Sequence, residues 1–138
     1  MKKLFLLCLL LLTGLFLAAC QSKSVTPEDV SATGGSYKNI DAKGLNSMLK
    51  DKDFVFINVH IPFAGNIAGT DLSIPYDEIE QNLSQLPSDK NAKIVLYCRS
   101  GHMSQIAAEK LVSLGYTDVW NLKGGMGGWE QAGFDLEK

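Results

Sequence analysis

Short apolar runs alternate with amphipathic stretches along most of the chain. The runs at 54–57, 94–97 and 119–122 are compact and rich in β-branched or aromatic residues, a composition typical of buried β-strands. Residues 104–114 carry apolar side chains at helical spacing with a polar stripe opposite, and Gly115 is placed to end that helix. Weaker patterns predict further elements: strands at 37–40 and 72–74, helices at 41–49 and 76–83, and a short helix near Trp129.

This alternation of strands and helices predicts the fold class. Parallel strands joined by helical crossovers form an α/β fold, here a central, mainly parallel sheet of about five strands with helices on both faces. Ligands in such folds bind beyond the carboxyl ends of the strands. The segment that follows the strand at 94–97 is therefore the first candidate for a functional site.

The beginning of the chain has the pattern of an export signal. A basic start is followed by an apolar run over 4–19, which is shorter than the roughly 20 residues that span a bilayer. A basic start, an apolar middle and a small-residue end predict a signal peptide over residues 1–19. The end, Leu17-Ala18-Ala19-Cys20, resembles the lipobox of bacterial lipoproteins, which implies a lipid on Cys20. An ordinary signal with a chance cysteine and an uncleaved anchor are the alternatives.

The next segment is polar and built from small residues. Residues 20–36 contain one proline and a glycine pair, and they predict a flexible tether that starts at the lipidated Cys20. The folded domain is then expected over residues 37–138. This organisation predicts an exported protein, held by lipid on the periplasmic or other extracytoplasmic face of a bacterial membrane.

Charge and cysteine content narrow the chemistry further. The net charge of the chain is −2, and no basic cluster suggests a nucleic-acid partner. Of the three cysteines, Cys8 leaves with the predicted signal and Cys20 would carry lipid. Cys98 is then the only free thiol, so no intramolecular disulfide is possible. This thiol is either buried and inert or kept for chemistry.

The position of Cys98 favours chemistry. It begins the segment 98–104, Cys-Arg-Ser-Gly-His-Met-Ser, between the clearest strand and the clearest helix. A tight loop at a helix N-terminus directs unpaired backbone N–H groups into its own hollow, and the helix dipole adds positive potential there. Both effects favour a thiolate, as do the nearby Arg99 and His102. Gly101 gives the backbone the freedom to curl.

Four segments resemble motifs of the rhodanese family, and they occur in the family's order. The loop Tyr97–Gly101 resembles the active-site loop, and Phe56–His60 resembles an early strand that ends in Asp-Val-Arg. Residues 67–75 are similar to the family's Ile-Pro-Gly-Ala to Ile-Pro stretch, and Leu122–Trp129 is similar to its C-terminal Leu-Lys-Gly-Gly to Gly-Trp signature. The resemblance covers residues 37–135.

The resemblance implies a sulfurtransferase that works through a persulfide on Cys98. A donor such as thiosulfate would load the sulfur, and a thiophilic acceptor, cyanide or a thiol, would remove it; a protein acceptor is a further candidate partner. No cofactor is implied. The residues that would bind substrate are those of the loop: Arg99, Ser100, Gly101, His102, Met103 and Ser104. The Arg99 side chain is expected either at the pocket or in an outward salt bridge.

The chain departs from the family pattern at three places. Met103 stands where a second basic residue is common, Asn58-Val59-His60 replaces Asp-Val-Arg, and Asn66 replaces a histidine. Fewer cations around the pocket disfavour thiosulfate as the natural donor. They leave the nucleophile and its amides untouched.

Other functions fit the residues less well. A metal site would need more ligands than His60, His102 and Cys98 supply. Related cysteine phosphatases need an arginine six residues after the cysteine, where this chain has Ser104. The glycines at 124–128 predict a turn rather than a phosphate cradle, because no Lys-Ser or Lys-Thr pair follows them. A non-enzymatic sulfur relay or a partner-binding module at the membrane remains the alternative.

Overall fold

The structure is a computed structural model and describes residues 26–138. The predicted signal over 1–19 and the predicted lipid site at Cys20 lie outside the described residues. The elements follow in this order: β1 Glu28–Ala32, β2 Gly35–Ile40, α1 Ala42–Lys50, β3 Val55–Asn58, β4 Leu72–Ser73, a 3₁₀ helix Glu80–Gln85, β5 Ile94–Tyr97, α2 His102–Ser113, β6 Val119–Leu122 and α3 Gly125–Gln131.

One six-stranded sheet organises the domain. Its strand order is β1-β2-β6-β5-β3-β4; β1 and β2 are antiparallel, and every other neighbouring pair is parallel. The predicted α/β class with a mainly parallel central sheet is confirmed. The sixth strand is β1, which the sequence pattern does not reveal.

The tether predicted over 20–36 is wrong in its second part, because β1 and β2 form a hairpin. The pairing runs from Glu28 opposite Asn39 to Ala32 opposite Gly35, so the fold begins at least nine residues before the predicted boundary at 37. An edge strand needs backbone pairing on one side and only one apolar face. Val30 and Ala32 supply that face by packing on the core. Two apolar residues are too few for the sequence pattern to indicate a strand.

The sheet separates two apolar cores. Along β5, Ile94 and Leu96 face the core that α2 covers, while Val95 and Tyr97 face the core that α1 and α3 cover. Side chains of a strand alternate between faces, so a strand buried on both sides is apolar throughout. The four residues of β5 are all buried, which places its carboxyl end at the centre of the domain.

The helices follow local signals with two exceptions. Asp41 caps the start of α1, since its carboxylate accepts a 2.8 Å hydrogen bond from the Gly44 N–H. α2 begins at His102, two residues before the predicted start. The helix predicted over 76–83 is wrong, because that region forms a 3₁₀ helix at Glu80–Gln85 with a kink at Asn82. Within residues 26–138, no helix is both long and apolar enough to cross a lipid bilayer.

Candidate active site

Cys98 lies at the carboxyl end of the central strand β5. The parallel pairing of β3, β5 and β6 fixes its height, with Asn58 opposite Tyr97 and Leu96 opposite Asn121. The side chain is 1% exposed. The sheet therefore places this sulfur where α/β folds bind their ligands. A short loop of three residues separates Cys98 from the first residue of α2.

Hydrogen-bond donors converge on the sulfur of Cys98. The Gly101 N–H donates to Sγ at 3.0 Å, and the Ser104 hydroxyl lies 3.5 Å from Sγ in donating geometry. Gly101 adopts φ +97°, a left-handed conformation that L side chains rarely adopt, so glycine is what lets the loop curl around the sulfur. These contacts have the geometry of an anion site at a helix N-terminus.

These donors also set the charge of the thiol. Burial alone raises the pKa of Cys98. Hydrogen bonds lower this pKa: they come from the Ser104 hydroxyl and from the backbone N–H groups of Ser104, Gly101 and Ser100. The net result is a Cys98 pKa below its ordinary value, which favours the nucleophilic thiolate.

The start of α3 supports the loop from behind. The Met126 N–H donates to the Cys98 carbonyl at 2.9 Å, and the Gly127 N–H donates to the Arg99 carbonyl at 3.0 Å. Gly125 allows this approach, because a Cβ there would overlap the Cys98 carbonyl oxygen and lie 2.7 Å from the Arg99 carbonyl carbon. The start of α3 therefore fixes the backbone of Cys98 and Arg99.

A cavity of about 500 Å³ opens beside Cys98. Five predicted site residues line it: Cys98, Arg99, Ser100, His102 and Met103. The other two, Gly101 and Ser104, contact the sulfur without forming the cavity wall. The structure therefore brings together all seven predicted residues, five at the wall and two at the sulfur.

The side chains around the opening differ in exposure. Arg99 is exposed and lines the cavity, and it forms no salt bridge with any residue between 26 and 138. His102 is exposed at the first position of α2, while Met103 is half-buried against the core. Arg99 and the two histidines that line the cavity are the only side chains in its wall that can carry positive charge.

Sequence reasoning missed five residues of the cavity wall. They are His60, Gly124, Gly127, Gly128 and Gln131. The turn predicted at 124–128 is confirmed only at Gly124, with φ +82°; Gly127 and Gly128 belong to α3, and all three line the cavity. His60 follows β3, which pairs with β5, and the sequence alone does not specify that pairing. In the described part of the chain, no group of three or more His, Cys, Asp or Glu side chains could hold a metal ion.

Comparison with known proteins identifies the family to which this domain belongs. The profile of the family described as rhodanese-like domain matches residues 35–132. The chain belongs to the rhodanese-like family. The match includes the hairpin strand β2, the loop after β5 and all of α3, so the site described above lies inside the rhodanese-like domain.

The relatives carry more than one name, and one of them is named for sulfur transfer. The domain is 32% identical over 100 residues to a protein named sulfurtransferase from Allochromatium vinosum, covering 70% of this chain and 92% of that protein. It is 30% identical to the tRNA uridine(34) hydroxylase of Erwinia tasmaniensis, covering 74% of this chain but 31% of that enzyme. A rhodanese-related protein of Thermoplasma volcanium has a similar structure, with a TM-score of 0.61 and 28% identity, covering 71% of this chain and 95% of that one. These similarities support a sulfurtransferase-type enzyme.

Proposed function

We propose that this domain moves a sulfane sulfur from a small donor to a thiophilic acceptor through a persulfide on Cys98. The observation that carries the proposal is the set of donors on Sγ: the Gly101 N–H at 3.0 Å and the Ser104 hydroxyl at 3.5 Å. Donors fixed before reaction stabilise an anionic sulfur without reorganising. Family membership and the sulfurtransferase relative point to the same chemistry.

In the first half-reaction, the Cys98 thiolate attacks the outer sulfur of the donor. With thiosulfate, a bond forms between Sγ and that sulfur, the sulfur–sulfur bond of thiosulfate breaks, and sulfite leaves with the electron pair. No base is needed, because the loop already favours the thiolate. The exposed Arg99 guanidinium at the cavity wall is suited to bind an anionic donor.

In the second half-reaction, the acceptor attacks the outer sulfur of the persulfide. Cyanide would give thiocyanate, and a thiol would give a new persulfide; in both cases the Cys98 thiolate is regenerated. The loop amides that hold Sγ stabilise the leaving thiolate, so the same hydrogen bonds serve both half-reactions.

The composition of the cavity wall bears on the donor. Met103 occupies one side, and the glycines of the α3 start occupy another. Thiosulfate carries two negative charges and would approach an anionic sulfur, which favours sites with several cations. We therefore propose that donors of lower charge, such as organic hydropersulfides with at most one negative charge, load Cys98 at least as well as thiosulfate.

The cellular location is a separate proposal and rests on the sequence alone. Residues 1–20 have the pattern of a lipoprotein signal that ends at Cys20. The lipidated protein would be held at the outer face of a bacterial membrane. In cells fed labelled palmitate, the wild-type protein should carry the label and Cys20→Ser should not; a wild-type protein without the label contradicts the lipid anchor.

Sulfur transfer is tested by thiocyanate release from thiosulfate or polysulfide and cyanide. The wild-type protein should release thiocyanate, and Cys98→Ser should reduce the rate to that of the uncatalysed mixture. Serine keeps the size and polarity of the side chain but forms no persulfide. Equal release by the two proteins would refute the proposed function.

A further inference from the structure

The His60 imidazole shares the cavity wall with Cys98. Strands β3 and β5 are parallel neighbours, and the Val59 N–H donates to the Tyr97 carbonyl at 2.9 Å, which extends their pairing past Asn58. The residue after Val59 is His60, and the residue after Tyr97 is Cys98. The pairing of β3 and β5 therefore places His60 and Cys98 in the wall of the same cavity.

A buried polar network holds the His60 backbone in place. The Asn58 side chain accepts a 3.0 Å hydrogen bond from the His60 N–H and donates to the Gly65 carbonyl at 3.0 Å. It also donates to the Asn66 side-chain oxygen at 2.9 Å, and the same oxygen accepts a 3.2 Å hydrogen bond from the Tyr97 hydroxyl. The loop 59–66 is therefore anchored at both ends by the residues that replace the family's usual charged pattern.

One nitrogen of the His60 ring lacks a partner. Its Nδ1 is buried and has no hydrogen-bond partner among the described residues. A buried nitrogen without a partner costs free energy, and in native proteins such a group calls for an explanation such as a catalytic role or an unseen ligand. Among residues 26–138, no carboxylate forms a salt bridge with the ring.

The charges that face the ring favour its neutral form. Burial lowers the pKa of His60, and the Arg99 guanidinium lowers it further. The other titratable groups in the cavity wall are Cys98 and His102, while the α3 side contributes only glycines and Gln131. At neutral pH the ring is therefore a free base beside the sulfur, able to accept a proton.

We propose that His60 is the general base of the second half-reaction and that the acceptor class is a thiol that enters the cavity protonated. The acceptor S–H proton passes to His60 as the acceptor sulfur bonds to the outer sulfur of the persulfide. The bond between that sulfur and Sγ breaks, and its electron pair stays on Cys98 as thiolate. Starting from the neutral persulfide, the outer sulfur keeps its own proton and leaves as the acceptor's persulfide, while protonated His60 releases the acceptor's proton to solvent. Sulfur is transferred with no net oxidation.

The chemistry of the acceptor explains why a base is useful here. A thiol of ordinary pKa, about 8.5, is only a few per cent ionised near pH 7, and the thiolate is the form that attacks. Sulfite, in contrast, attacks as an anion that is already present at neutral pH. A general base therefore accelerates transfer to a thiol and does nothing for transfer to sulfite.

This inference rests on the proposed function and is tested on the persulfide form of the full chain. The protein is loaded with polysulfide and freed of excess donor, and the loss of the sulfur adduct from Cys98 is followed after adding either glutathione or sulfite at pH 7.5. His60→Gln should load normally and discharge to sulfite within about twofold of wild type. Its discharge to glutathione should be about 100-fold slower, the usual effect of losing a general base.

Two further readouts separate catalysis from a structural role. In His60→Ala, added imidazole should restore much of the glutathione rate and leave the sulfite rate unchanged. The glutathione rate of the wild type should stay flat with pH above the His60 pKa, whereas that of His60→Gln should rise with thiol ionisation. Equal slowing with both acceptors, defective loading, or no slowing with either would overturn the role of His60. A wild-type protein that never acquires the adduct would instead refute the proposed function itself.

Discussion

Replacing Gly125 with alanine tests whether α3 holds the Cys98 loop in place. Gly125 has φ +57°, and a Cβ there would overlap the Cys98 carbonyl oxygen and lie 2.7 Å from the Arg99 carbonyl. Backbone atoms cannot rotate away as a flexible side chain can. The substitution must therefore push the loop away from the start of α3.

The cost follows from the contacts that this shift would break. A non-glycine residue in the left-handed region costs about 1 kcal/mol. Moving the loop also lengthens the hydrogen bonds of 2.9 and 3.0 Å that Met126 and Gly127 donate, each worth about 1 kcal/mol net. We expect Gly125→Ala to lower the free energy of unfolding by about 3 kcal/mol, with a large loss of sulfur loading because the Sγ donors move with the loop.

Gly115 and Gly133 provide matched controls. Both have positive φ, +92° and +91°, but a Cβ at either position would meet nothing within 4 Å. Their alanine variants should lose only about 1 kcal/mol and keep full sulfur loading. Urea unfolding and persulfide formation measure the two effects. If Gly125→Ala proves as mild as the controls in both assays, the support attributed to α3 is absent.

Three further predictions concern the ionisation of Cys98 and one buried hydrogen bond. Ser104→Ala removes a hydroxyl donor to Sγ, so the pKa of Cys98 should rise and alkylation by iodoacetamide near pH 7 should slow about fivefold, whereas the exposed Ser113→Ala changes neither. Because the folded pKa of Cys98 lies below its unfolded value, the ionised thiol stabilises the fold fully above about pH 8.5 and this contribution disappears as the pH falls through the folded pKa. The unfolding free energy of wild type minus that of Cys98→Ser, from urea titrations with reductant, should therefore increase from about pH 6 to pH 9; a flat difference contradicts the lowered pKa. Tyr97→Phe leaves the buried Ile67 N–H without its 3.0 Å acceptor and should lower the urea midpoint by the equivalent of about 1–3 kcal/mol, an effect that unchanged unfolding would disprove.

The central part of the fold could be predicted because its sequence signals are local. β5 is apolar at each of its four positions, and α2 carries a clear apolar stripe, so both elements and the loop between them follow from pattern alone. The predicted site residues at 98–104 are contiguous in sequence and stay together in the fold. A candidate nucleophile at a strand end before a helix can be found without tertiary information.

The parts that were missed depend on tertiary contacts. β1 has too few apolar residues to indicate a strand, and its pairing with β2 is what stabilises it. The place of His60 in the cavity follows from the parallel register of β3 and β5, which a single sequence does not specify. The glycines after Lys123 predict a turn, but their close approach to the Cys98 carbonyl requires knowing where α3 packs.

The central claim is that hydrogen bonds from the loop and α2 keep Cys98 ionised and hold the sulfur that it acquires. Intact-mass analysis after incubation with polysulfide or thiosulfate tests it directly. The account predicts an adduct of about 32 Da, one sulfur atom, located on Cys98 and removed by a thiol acceptor. The absence of that adduct with both donors, or its equal formation on Cys98→Ser, would contradict the account.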